Sequence, residues 1–384
     1  MLKTILSVAS VVLAAAGTTA QPAQPAKHDA PNHTYFDGKF EMERVLDWGD
    51  RPVWSADSKR IAFTVDDEHL GPAYEMDLAT RKVRCLTCRW GAAGHVARIY
   101  YLADGSFLLE GPPAMETAVS TIGAKPQRAS QTFLYWMPAD ASLPPQPLDA
   151  PAFGEVALDY DHSPPGVARI AWGEYGQTKR MMVGDIVNDG KRAFLVNRTA
   201  IYAEATRDPQ SLVTFTETYD FIDNGKSVLF FTKEKGRPYN GMYKADIATG
   251  AIQAMPTDGQ HNETHSFPDV RYGLEESNRA SDPNGPYRGM SGHRADALAL
   301  LLGYDGEADA KSLGSRFGGK PVDLYVTDWE TGKKRRLTAV GERGGEAHQS
   351  TPARDGKHIA FSIRDADGRT YAGEKGIFVG VFVN

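Results

Sequence analysis

Histidine and arginine carry most of the chemistry this sequence could perform, and they gather in its last third. His261, His265, His293 and His348, the last followed by Gln349, offer imidazole and amide donors of the kind that hold a divalent metal ion. His261 and His265 lie four apart and share one face of an extended strand if no bulge intervenes. A metal, if one binds, is therefore expected on His261, His265 and His348. Arg279, Arg288 and Arg294 flank His293 with guanidinium forks suited to bidentate capture of carboxylates such as those of uronic acids. One reaction follows from these side chains: Arg279 or Arg294 neutralises a uronate carboxylate while His265, His293 or His348 takes the proton beside it. The competing reading is plain, since an isolated histidine is more often a hydrogen-bonding surface residue.

Other chemistries lack their motifs. No Gly-x-Ser-x-Gly elbow is present, and the segments at Ser163 and Ser291 have no strand-to-helix setting for a nucleophile. Gly344-Gly345 precedes a strand, which argues against a phosphate-binding loop. The two cysteines, Cys85 and Cys88, could form a local disulfide, stay as thiols or act as a redox pair; no second Cys pair completes a zinc site. Residues three apart on a strand point to opposite faces, so a disulfide requires a turn at Thr87. A net charge of -6 provides no basic footprint for a nucleic acid, which is excluded as a partner. The cluster Lys333 to Arg336 follows Glu330-Thr331-Gly332 and reads as a solvated hairpin.

The N-terminus has the layout of a cleavable secretory signal over residues 1–20: Lys3, an apolar run from Ile5 to Ala16, then small residues to Ala20. That run is shorter than the roughly 20 residues of a spanning helix, so no membrane span is expected after cleavage. Residues 21–33, rich in Pro and Ala, read as a flexible leader. The folded domain then covers 34–384, and a periplasmic or secreted location and a monomeric state are expected.

The elements that must position the candidate residues recur along the chain. Pro52-Val-Trp54-Ser-Ala-Asp57-Ser-Lys-Arg-Ile61-Ala-Phe63, followed by Tyr74-Glu-Met-Asp77-Leu and Lys82-Val-Arg-Cys-Leu86-Thr87, returns near the end as Ser350 to Phe361 and Gly376 to Phe382. Weaker copies begin at Asp104, Val167, Asn224 and Pro268, which makes six units of β-rich runs between Asp/Asn/Gly turns. The last unit has only three strands, and Phe40 to Leu46 supplies an orphan. The expected fold is therefore all-β: a six-bladed β-propeller of four-stranded antiparallel blades, closed by the N-terminal strand. The unit resembles the repeat of TolB-like propellers over essentially the whole mature chain. That resemblance implies an exported protein that binds proteins or saccharides; a minority of such propellers resemble polysaccharide lyases or peptidase domains. Oligogalacturonate-lyase-like propellers hold a metal with a comparable His/Gln set.

In such a topology the residues just before each innermost strand form a ring around the channel mouth. These are Asp50 and Arg51, His95 and Arg98, Glu155, Glu217, Glu263 with His265, and Glu346 with His348 and Gln349. A solvated rim is expected to keep its charges in water. An insertion at about 277–320, with a short helical stretch from Ala295 to Leu302, would carry Arg279, Arg288, His293 and Arg294 over the same face, opposite Glu263, Glu275, Glu276 and Glu346. The leading expectation is a binding module with Arg51, Arg98, Glu263, Glu276, Arg288, Arg294, Glu346 and Gln349 in contact with a protein or acidic saccharide. The alternative is a lyase or hydrolase acting on uronate-containing saccharides through His265, His348, Arg279 and His293.

Overall fold

The computed structural model describes residues 35–65, 70–112, 132–174, 180–203, 213–234, 240–256, 262–268, 270–277, 322–365 and 371–383. Short runs of aromatic and β-branched residues dominate these segments, and nearly all of them are strand. The turns between them follow from side-chain chemistry. Asp104, Asp189 and Asp355 each accept a hydrogen bond from the amide two residues on, at 2.9, 2.8 and 2.8 Å. Gly105, Gly190 and Gly356 then take the positive φ that reverses the chain, at 84, 82 and 66°.

The strands pair in antiparallel runs of four. Sheet 1 joins Asp50–Trp54, Arg60–Thr64, Tyr74–Asp77 and Val83–Cys85. Sheet 2 joins Arg98–Tyr101, Phe107–Gly111, Thr132–Met137 and the first half of Gln146–Asp159. The second half of that strand opens sheet 3, with Val167–Glu174, Arg180–Asn188 and Ala193–Ala203. Sheet 4 follows from Val213–Ile222 through Ser227–Glu234 and Asn240–Asp246 to Ile252–Ala254. Sheet 5 joins Asn262–Ser266, Tyr272–Ser277, Asp323–Asp328 and Lys334–Arg336. Sheet 6 joins Gly345–Pro352, His358–Asp365 and Gly376–Val383, and its outermost strand is Lys39–Leu46, with Phe40 opposite Phe382.

Two features differ from expectation. Gln146–Asp159 is one strand of 14 residues shared by two sheets, where separate strands were expected. A single parallel bridge, Leu158 to Asp220, joins sheets 3 and 4. The disulfide reading of the cysteines is the one present: Cys85 ends its strand, Cys88 opens the 3-10 segment Cys88–Gly94, and the two are bonded with Cα atoms 5.7 Å apart.

Apolar clusters fill the space between consecutive sheets. Trp136 and Trp172 meet between sheets 2 and 3, and Phe267, Leu324 and Phe361 between sheets 5 and 6. Trp54, Ile61 and Phe63 of sheet 1 pack on Ala360 and Ile377 of sheet 6. The indole of Trp54 also donates to the carbonyl of Thr351 at 3.0 Å, which explains why the first repeat carries Trp there. No helix of the described residues is long and apolar enough to cross a membrane.

Candidate functional site

The first strands of sheets 1, 2, 3 and 6 meet through side chains near their starts, and several of these stretches are bulged. Register shifts fall between Asp50 and Val53 in sheet 1, Phe153 and Val156 in sheet 3, and His348 and Thr351 in sheet 6. A bulge inserts a residue and re-aims the side chains next to it. Arg51 and Gln349 are the inserted residues in sheets 1 and 6, both in the left-handed region at φ 54 and 53°. Neither is glycine, so each conformation costs about 1–3 kcal/mol locally. The two side chains meet, with Arg51 Nη1 donating to Gln349 Oε1 at 2.8 Å. In sheet 3 the bulge holds Gly154 at φ 73°, where a Cβ would lie 2.3 Å from Cγ of Glu217.

Glu155 is the centre of this group. It pairs with Arg51 at 2.9 Å and with Arg98 of sheet 2, and it accepts the Tyr100 hydroxyl at 2.6 Å. Arg98 also reaches its cross-strand neighbour Glu110 at 3.4 Å, and Thr132 donates to Glu110 at 2.6 Å. Burial alone would raise the Glu155 pKa, but Arg98 and Arg51 overcome it and hold the carboxyl below the usual range. At Glu110 burial prevails over Arg98, and the pKa rises. Burial likewise raises the Tyr100 hydroxyl, reinforced by the Glu155 charge.

Farther round, Nδ1 of His265 lies 3.1 Å from Asp220 Oδ2 of sheet 4, and the ring stands edge-on to Tyr219 with centroids 5.0 Å apart. His348 is almost fully buried, and its Nε2 lies 3.6 Å from Asp50 Oδ1 of sheet 1. Glu276 accepts the Ser350 amide at 2.5 Å, and Glu346 pairs with Arg364 of its own sheet at 3.0 Å. At the far end of the first strands, Arg354 lies over the Tyr160 ring at 4.8 Å and pairs with Asp161, tying sheet 6 to sheet 3.

Arg51, Arg98, Glu155, Gln349 and His348 are thus brought together with Asp50, and His265 joins through the field it shares with Glu155 and Glu276. The expected solvated rim is instead largely buried: the side chains of Arg51, Arg98 and Glu155 are 13, 14 and 12% exposed. Buried charge is tolerable only when paired, and here pairing runs across sheets. Glu275 turns to the other face, toward Thr327 and Lys334, and not to the rim. Tyr100, Glu110 and Asp220 were missed. Tyr100 stands two after Arg98, on the same strand face, and that alternation was the available signal.

His261, Arg279, Arg288, His293 and Arg294 lie outside the described residues, as does the Glu263 side chain, although its backbone is in Asn262–Ser266. The connection carrying the four insertion residues leaves sheet 5 after Ser277 and returns at Asp323. Among the described residues no group of three or more His, Cys, Asp or Glu could hold a metal ion. His265 and His348 are each turned to an aspartate of a neighbouring sheet, so the described residues alone do not fit a metal centre.

No protein-family model matches the chain, and no curated protein matches it. Similar solved structures include a TolB-type protein from Agrobacterium tumefaciens, with 13% identity and a TM-score of 0.45 over 76% of this chain and 77% of that one. An oligogalacturonate lyase in complex with manganese has 12% identity and a TM-score of 0.44 over 87% of this chain and 77% of that one. TolB from Acinetobacter baumannii has 16% identity and a TM-score of 0.37 over 83% of this chain and 68% of that one. Identities this low carry no chemistry across.

Proposed function

We propose that this chain, whose repeat is TolB-like, is an exported six-bladed β-propeller that works as a binding module. Its blades are the six sheets, its closure is the Lys39–Leu46 strand, and its contact face is the side where the first strands begin. The observation that supports this most is the pair of bulges that hold Arg51 and Gln349 in strained, non-glycine conformations directed at each other. Strain of that kind persists where the surroundings enforce it, and it concentrates at ligand-contacting sites. The Cys85–Cys88 disulfide agrees with an oxidising, extracytoplasmic location.

The lyase reading has less support. Proton abstraction beside a uronate needs a free base and a cation facing the same carboxylate. Arg51 and Arg98 both lean on Glu155, and His265 leans on Asp220. Among the described residues the charged groups are thus arranged for contact more than for proton transfer, and a partner protein is the ligand we favour, with an acidic oligosaccharide second.

Site-specific photo-crosslinking in the native host tests this. A photoreactive residue at Gln349 should give discrete protein adducts, and one at Phe194, exposed on the outer strand of sheet 3, should give none. No adduct at Gln349, or equal adducts at both, counts against the face. Turnover of oligogalacturonate that His348→Ala and Arg279→Ala both abolish would replace this reading with the lyase.

A further inference from the structure

The Cys85–Cys88 pair stands apart from the site above, on the connection from the outer strand of sheet 1 to sheet 2. Its two sulfurs are not equivalent. Cys88 is exposed, whereas Cys85 is half-buried and its Sγ receives the Cys88 amide N–H at 3.0 Å. An amide directed at a sulfur favours the thiolate, so Cys85 is the better leaving group and Cys88 the accessible target. Of the nearby cations, Arg81 pairs with Glu43 and Arg84 with Glu75, the latter at 2.6 Å, so the difference between the two sulfurs rests on their exposure and on the Cys88 amide.

The bond is also poorly suited to a purely structural task. A loop with two residues between its cysteines restricts the unfolded chain far less than a long one, and a domain this large has core enough without staples. The turn it spans is anchored separately. Thr87, between the cysteines, is fully buried; its hydroxyl donates to the Gly94 carbonyl at 2.6 Å and accepts the Ala73 amide at 2.9 Å. The disulfide can therefore open and close while Thr87 keeps the segment in place.

We propose that Cys85–Cys88 is a thiol–disulfide exchange site for an external dithiol. A thiolate of that dithiol attacks Sγ of Cys88, and the Cys85–Cys88 bond breaks with its electron pair leaving on Cys85. The second thiol of the reagent, as thiolate, attacks its own sulfur in the mixed disulfide and releases Cys88. Two electrons pass to the protein, whose thiolates take up the two protons given up by the dithiol, and the dithiol becomes a disulfide.

The native full chain, treated with dithiothreitol without denaturant and quenched with iodoacetamide, tests this by intact mass. The expected result is uptake of two carbamidomethyl groups by protein that keeps its cooperative unfolding transition. In parallel, Cys85→Ser should react with an aromatic disulfide reagent faster than Cys88→Ser, because Cys88 is exposed whereas Cys85 is half-buried. No alkylation short of unfolding would overturn the proposal, even if neither single variant folds. Equal or reversed rates in the two variants would overturn the assignment of Cys88 as the attacked sulfur.

Discussion

Glu155 neutralises Arg51 and Arg98 at once, and neither guanidinium has water enough around it to stand alone. Replacing Glu155→Gln turns the group between Arg51 and Arg98 into an amide and leaves Arg98 to Glu110 at 3.4 Å, so we expect a loss of about 3–5 kcal/mol, the usual penalty for breaking a buried pair. Urea unfolding should show a lower midpoint with an unchanged slope; a shift within about 0.5 kcal/mol would mean the network is not paired as described. His265 gives the opposite pH signature. Burial by itself lowers its pKa, but Asp220, Glu155 and Glu276 raise it above the ordinary 6.5. A raised value means the stabilisation is complete below 6.5 and is lost as pH rises through the folded value. His265→Gln should therefore flatten the fall of Tm on the alkaline side, and an unchanged profile would show that the Asp220 contact contributes nothing. That Arg51, Arg98, His265 and Gln349 lie on the first strands of sheets 1, 2, 5 and 6 was legible from repeat position alone. Their partners were not, because the pairs span up to 298 positions and nothing local encodes them.

At the scale of the element, Lys39–Leu46 supplies a whole ladder to Gly376–Val383 and covers an edge that would otherwise be open. Deleting residues 34–46 should remove the single cooperative unfolding transition or broaden it severely; a truncated protein with the wild-type midpoint would mean the strand is dispensable. This pairing was legible because the last repeat falls one strand short. The hairpins were legible as well, from Asp-Gly pairs between alternating apolar residues. The bulges were not, since Arg51 and Gln349 are residue types that give no hint of positive φ. The shared strand was hidden for a similar reason. Pro147, Pro151 and Gly154 punctuate Gln146–Asp159 like a loop, yet strands tolerate proline at an edge and glycine at a bulge.

Among the described residues the sheets bury apolar faces mainly against one another, with Tyr35 added between sheets 5 and 6, so stability depends on every seam, including that between sheets 6 and 1. If the chain is exported as proposed, intact-mass measurement on protein from the periplasm should find a start at Gln21. A protein retaining Met1 and recovered only from cytoplasm would refute the export reading. Finally, the sheets are not equally open to change. Gln146–Asp159 passes from sheet 2 to sheet 3 through Gly154 with no intervening loop, and extra residues there would break hydrogen bonds in both sheets. Ser277 and Asp323, by contrast, pair directly across their two strands, so the length of the connection between them does not enter the register of either. Residues added by design are thus expected to be accepted between Ser277 and Asp323 and to be destabilising at Gly154.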